Sequence, residues 1–217
     1  MTIQIKKTIK KLINLYHEGG LIKIIKVISS HFSKRIRTFI KKNVKKYYFR
    51  KKSPLKLHLG CGNIYLKDFI NIDIEDWSGI CDLVADASNL FMFSENSVNH
   101  IFAHALLEHI PPWNTIKTLK EWYRILGPQG TIQIEVPDLE RVFRNWLDNR
   151  TLNEEEAINN IYGGNKSPDK TYFHQDHLTG FTYDRLTKIM KECGFTNFKR
   201  LEHSEYRHIL IVCAQKK

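Results

Sequence analysis

Long apolar runs are missing from this chain. No stretch of its 217 residues approaches the roughly 20 consecutive apolar residues that a membrane-crossing helix needs, and lysines interrupt even residues 21–28. The chain is therefore read as one that does not cross a membrane. It also lacks a secretory layout: charges recur every few residues at the N-terminus, and no apolar core precedes a small-residue cleavage site. Cysteine is sparse. Cys61, Cys81, Cys193 and Cys213 form no C-x-x-C pair and no metal-ligand spacing with histidine, so reduced thiols of a cytoplasmic protein are expected and no metal. Among the first 52 residues acids are nearly absent, with Glu18 alone against sixteen Lys/Arg, a net +15. The rest of the chain holds eighteen Lys/Arg against twenty-two Asp/Glu, a net −4. The overall charge of +11 thus describes an arm. A folded body that grips nucleic acid usually carries the basic surface itself, so nucleic acid is a disfavoured partner.

The basic arm reads as helix. Ile5, Ile9, Leu12, Ile13 and Tyr16 recur at helical spacing among lysines, and Gly19-Gly20 breaks the pattern. A second stripe, Leu21, Ile25, Ile28, Phe32, Ile36, Phe39, Ile40 and Tyr47, runs to a linker ending at Ser53-Pro54. Lysines beside an Ile/Phe/Tyr stripe suit an interfacial helix on an anionic membrane surface; the competing reading packs the stripe on the domain or on a second copy. The expected division is an arm over 1–53 and one domain over 54–217. The oligomeric state is left open.

Beyond the linker, short apolar runs alternate with amphipathic stretches, the pattern of a mostly parallel sheet covered by helices. Strands are expected over 55–59, 69–74, 83–85, 98–103 and 131–136, with a final pair over 198–202 and 208–214. Helices are expected over 116–126, 139–147 and 183–193, the last closed by Gly194. The first of them would carry Ile116, Leu119, Trp122 (or Tyr123) and Leu126 on one face. Residues 151–180, polar and carrying Gly163-Gly164 with an aromatic and histidine cluster, exceed a simple connection and are read as a lid.

The sharpest local signal is Leu57-His58-Leu59-Gly60-Cys61-Gly62-Asn63. A strand followed at once by G-x-G lets the backbone pass close to a ligand. Asp73 ends the next strand, where a carboxylate can accept two hydrogen bonds from a ribose diol, and Asp86 ends the third, within reach of an adenine amino group. A glycine turn and two acids on three successive strand ends suit an adenosine ligand. A tight turn with no ligand would need the same glycines.

Gly60-Cys61-Gly62-Asn63, Asp73, Asp86-Ala87, Leu107-Glu108-His109, Tyr123–Gly130 and Val136–Glu140 resemble the class I S-adenosylmethionine-dependent methyltransferases, in particular those found with cell-surface polysaccharide genes. The resemblance implies a Rossmann-like α/β fold: a seven-stranded, mostly parallel sheet with an antiparallel last strand in a three-layer sandwich. It implies S-adenosyl-L-methionine as cofactor, with Gly60, Cys61 and Gly62 facing its methionine part and Asp73 and Ile74 the ribose. Asp86 and Ala87 would face the adenine, and His104 and Leu107 would stand near the sulfonium. The chain departs from relatives in having Ile64-Tyr65 in the first turn, Ala105 where many have histidine, and almost no room for a helix between the first two strands.

For a hydroxyl acceptor the candidate bases are His104, His109, His174 and His177. Glu108-His109 has a plain alternative as a helix cap, and His174 with His177 at i, i+3 makes a weak metal pair, read instead as substrate contacts on the lid. The expected activity is O- or N-methylation of a glycan, sugar intermediate or small acceptor by a cytoplasmic protein, peripheral on the inner membrane face. RNA methylation and a non-catalytic cofactor-binding module are the rivals. Against the first, no N-P-P-Tyr-like motif follows the fourth strand; against a nicotinamide enzyme, the full G-x-G-x-x-G is missing.

Overall fold

The computed structural model describes residues 54–76, 79–148, 152–164, 176–203 and 208–217. The arm expected over 1–53, and with it the domain boundary, lies outside the described residues.

Seven strands form one sheet: β1 (Lys56–Leu59), β2 (Ile70–Asp73), β3 (Leu83–Val84), β4 (Val98–His104), β5 (Leu126–Pro137), β6 (Phe195–Leu201) and β7 (Ile209–Lys216). Their spatial order is β3-β2-β1-β4-β5-β7-β6. The pairs from β3 across to β5 are parallel, and β7 runs antiparallel between β5 and β6. The order reverses at β1, the position where open α/β sheets leave a crevice beyond the carboxyl ends of their strands.

Alternation gives the sheet two unlike faces. Register aligns Leu57 and Leu59 with Ile101 and Ala103 on β4, and these with Ile132 and Ile134 on β5 and with Ala214 and Val212 on β7. All are buried, and they form the main core with Leu119, Trp122 and Ile125 of α1 (Pro112–Ile125) and Leu186 and Met190 of α4 (Tyr183–Glu192). The intervening positions, His58, Phe102, His104, Gln133 and Glu135, lie on the opposite face and are largely polar. The described helices with residues in this core, α1 and α4, cover the apolar face.

Several boundaries differ from the sequence reading for local reasons. α1 begins at Pro112, because a proline at the first helical position has its φ already set. Its inward face is Thr115, Thr118, Leu119, Trp122 and Ile125, while Ile116 is 41% exposed. Leu126 opens β5: it pairs with Val98, and pairing resumes at His100 with Thr131, so Gly127–Gly130 are looped out within the strand. A Cβ on Gly130 would stand 2.8 Å from the Gly127 carbonyl, which explains the glycine there. β6 starts earlier than expected, at Phe195, directly after Gly194.

No helix stands between β1 and β2. The Asn71 side chain holds the connection instead, accepting from the Leu66 N–H at 2.9 Å and donating to the Leu66 carbonyl at 3.1 Å. After β5, α2 (Leu139–Leu147) is capped by Asp138, and α3 (Glu154–Tyr162) by an Asn153–Glu156 capping box. Val142, Leu152 and Ala157 bury together with Trp146 and Ile161 in a small second core. The first part of the expected lid is therefore a helix packed on α2, not an open loop. Residues 165–175, His174 among them, lie outside the described residues.

Candidate functional site

The carboxyl ends of β1, β2 and β3 are tied to one another. Gly60 and Cys61 both donate backbone N–H bonds to the Ile72 carbonyl, at 2.9 and 3.1 Å, bending the chain over the end of β2. Gly60 and Gly62 hold positive φ values of 71° and 50°, the left-handed region that glycine occupies without strain. Gly62 N–H donates to Asp73 Oδ2 at 2.8 Å, and Ala85 N–H donates to the Asp73 carbonyl at 2.8 Å. Asp86, the next residue, is exposed and accepts from Ser88 N–H at 2.7 Å. The glycine turn and both acids thus stand along one edge of the sheet.

This edge has room and lone pairs for an adenosine ligand. A Cβ built on Gly62 would meet nothing within 4 Å. Asp73 receives one backbone N–H on each oxygen, from Gly62 and from Ile74 at 2.6 Å. An ionised carboxylate offers about four lone-pair sites, so two remain for a pair of ribose hydroxyls. Ile74 is 46% exposed beside it, an apolar surface at the end of β2. The Ala87 carbonyl accepts from the Trp122 indole N–H at 2.9 Å, fixing the third strand end to α1. The residues present fit the group.

Two expected contacts are placed differently. Leu107 is fully buried in the core, so its side chain offers no surface to a ligand; Leu106 stands over Gly60, 3.0 Å from where a Cβ would lie. Cys61 is also buried, its Sγ 3.3 Å from Cys81 Sγ. Burial pushes both thiols well above the ordinary range, so both are protonated, and Cys61 can serve a ligand only through its backbone.

Beyond the turn, His104 ends β4 beside β1. Its Nδ1 lies 2.8 Å from Glu135 Oε2, and Gln133 Nε2 donates to the other carboxylate oxygen at 2.6 Å. The bond to Glu135 raises the His104 pKa, against burial; for Glu135 burial pushes up, but the bonds from His104 and Gln133 outweigh it and the carboxyl falls below its ordinary value. With Nδ1–H held by a carboxylate, Nε2 is the nitrogen that exchanges a proton. The Phe102 ring stacks between His58 and His104. Sequence reasoning found His104 and missed Glu135. Its signal was there: an acid two residues beyond Gln133 in an alternating strand that neighbours β4.

Of the other predicted histidines, His109 and His177 come together. His109 ends a 3-10 turn (Leu107–His109) after β4, and His177 follows the segment beyond α3. Their rings meet edge to face at 4.9 Å, next to the buried Glu108 carboxyl, which burial pushes up to about 7.

Comparison with known proteins agrees with this geometry. Residues 57–134, from the strand before the glycine turn into β5, match the family model described as a methyltransferase domain. An S-adenosylmethionine-dependent methyltransferase of Methanosarcina mazei is similar in structure at TM-score 0.52 and 17% identity, over 78% of this chain and 95% of that one. One of Archaeoglobus fulgidus matches at TM-score 0.52 and 15% identity, over 83% and 94%. A Burkholderia thailandensis 1,6-didemethyltoxoflavin N1-methyltransferase, solved with S-adenosylhomocysteine, matches at TM-score 0.50 and 14% identity, over 96% and 86%. No curated protein matches the chain. Strand order gives this domain the fold of S-adenosylmethionine-dependent methyltransferases, and residues 57–134 are similar to a methyltransferase domain.

Proposed function

We propose that the protein transfers the methyl group of S-adenosylmethionine to a hydroxyl or amine of a glycan, sugar intermediate or related small acceptor. The observation that carries this reading is the His104–Glu135 pair at the end of β4, beside the glycine turn on β1. Bound S-adenosylmethionine supplies a methyl group on a sulfonium, a good leaving group. The chain's part is orientation and proton handling. The Gly60–Gly62 backbone and Asp73 fix the cofactor, and in-line positioning of this kind is worth effective molarities on the order of 10⁵ M or more. His104 Nε2 takes the acceptor proton while Glu135 holds the ring and supports the imidazolium, which adds roughly 10²–10⁴-fold.

The basic arm supports a location on an anionic membrane face, where the acceptor would be a membrane-associated glycan or its precursor. Among the described residues no helix is long and apolar enough to cross a membrane. The test is incubation of the full chain with S-adenosylmethionine and panels of sugar nucleotides, lipid-linked sugars, small amines and RNA, reading S-adenosylhomocysteine by mass spectrometry. Turnover on a sugar acceptor that falls at least about 100-fold in His104→Gln supports the reading. Turnover on RNA alone, or cofactor binding with no turnover on any panel, overturns it.

A further inference from the structure

Glu108 and His109 stand far from His177 in the chain, 177 − 109 = 68 positions apart, and no spacing in the sequence joins them. The backbone does. Leu178 and Thr179 N–H groups donate to the Glu108 carbonyl at 2.8 and 3.2 Å, and His177 N–H to the Tyr162 carbonyl at 3.1 Å. One ligand atom from each of Glu108, His109 and His177 then lies within 4.8 Å of the others.

Two further observations bear on what this cluster holds. Glu108 is 1% exposed, and its Oε2 is buried with no hydrogen-bond partner. Neither protonation state satisfies that atom: an ionised oxygen lacks a donor, and a protonated one lacks an acceptor. Each histidine has its Nδ1 on a backbone carbonyl, His109 on Asp176 at 3.0 Å and His177 on Asn160 at 2.9 Å. A carbonyl only accepts, so both rings carry a proton on Nδ1, which makes Nε2 the nitrogen that would ligate an ion in each. Metal-binding histidines are oriented in just this way.

We infer that Glu108, His109 and His177 form a binding site for a divalent transition-metal ion, with zinc the type, and leave at least one coordination position for water or substrate. Two imidazoles and a carboxylate are borderline donors that suit zinc, cobalt, iron or manganese over calcium. Three protein ligands with an open position is the pattern of a catalytic site, whereas structural zinc is closed by four. A role for the ion in activating an acceptor hydroxyl rests on the function proposed above; binding of the ion does not.

The test uses the full chain without a polyhistidine tail, stripped by chelator and titrated with Co²⁺ by visible absorption and with Zn²⁺ by calorimetry. One ion per chain is expected. Glu108→Gln, His177→Gln and the double variant should each weaken affinity by at least about tenfold, and the thermal stabilisation that Zn²⁺ gives the wild type should vanish. Circular dichroism checks folding; if Glu108→Gln does not fold, His109→Gln and His177→Gln, at only partly buried positions, decide. S-adenosylmethionine binding, measured on the same samples, should be unchanged. That separates this inference from the methyltransferase reading. A wild type that takes up no stoichiometric ion, or folded variants that keep its affinity, overturns it.

Discussion

His104 and Glu135 are direct cross-strand partners on β4 and β5, and the histidine Nδ1 stands 2.8 Å from the carboxylate. The pair makes activity depend on pH in a defined direction. Glu135 raises the His104 pKa above its ordinary 6.5, and Glu108 adds to the effect. A base must be neutral to act, so kcat should rise with pH through a midpoint above 6.5. Glu135→Gln removes the charge and should move that midpoint down while lowering kcat; His104→Gln should remove the limb. Stability should run the other way. A raised histidine pKa contributes stability that is complete below the unfolded value and is lost as pH rises through the folded one. Urea denaturation of wild type and His104→Gln should therefore converge toward alkaline pH. A midpoint unmoved by Glu135→Gln would refute the assignment.

Asp73 holds both the Gly62 and the Ile74 backbone N–H groups. Asp73→Ala should weaken S-adenosylmethionine binding by roughly 10–100-fold, since hydrogen bonds to a charged group are worth about 1.5–3 kcal/mol. Calorimetry reads this directly. Asp73→Asn keeps the shape and should lose less.

Trp122 is fully buried, and its indole N–H is bonded to the Ala87 carbonyl. Trp122→Phe leaves that carbonyl without its donor and should cost about 1–3 kcal/mol. The Asp86-Ala87 edge also loses its tie to α1, so cofactor affinity should fall together with the urea midpoint. Full stability with intact affinity would show that the bond is not needed.

Asp138 is fully buried, caps α2, and pairs with Arg200 on β6 and with Arg141, 3.5 Å away. Removing one partner of a buried pair costs about 3–5 kcal/mol, and the remaining Arg141 puts Arg200→Met at the low end of that range. Chemical denaturation of the two proteins measures it. A change below the resolution of that measurement would mean that Arg141 alone satisfies the carboxylate.

The comparison of sequence with structure turns on range. Gly60-x-Gly62, Asp73 and Asp86 were legible because each follows a strand, and strand ends in a parallel sheet share an edge. The alternation in β4 and β5 is likewise written into a few neighbouring residues. Period depends only on local backbone geometry, so the chain by itself determined the seven strands, three of the helices and the glycine turn, while the helix Glu154–Tyr162 came only with the structure. Which side chains meet across the fold was a different matter. His104 finds Glu135 through strand register, Leu106 covers Gly60 while Leu107 turns inward, and Cys61 meets Cys81. Glu108 and His109 reach His177 through the backbone bonds of residues 177–179 to Tyr162 and Glu108. No local pattern encodes those pairings. They arise when buried backbone groups from distant segments must satisfy one another, and only the tertiary structure decided them.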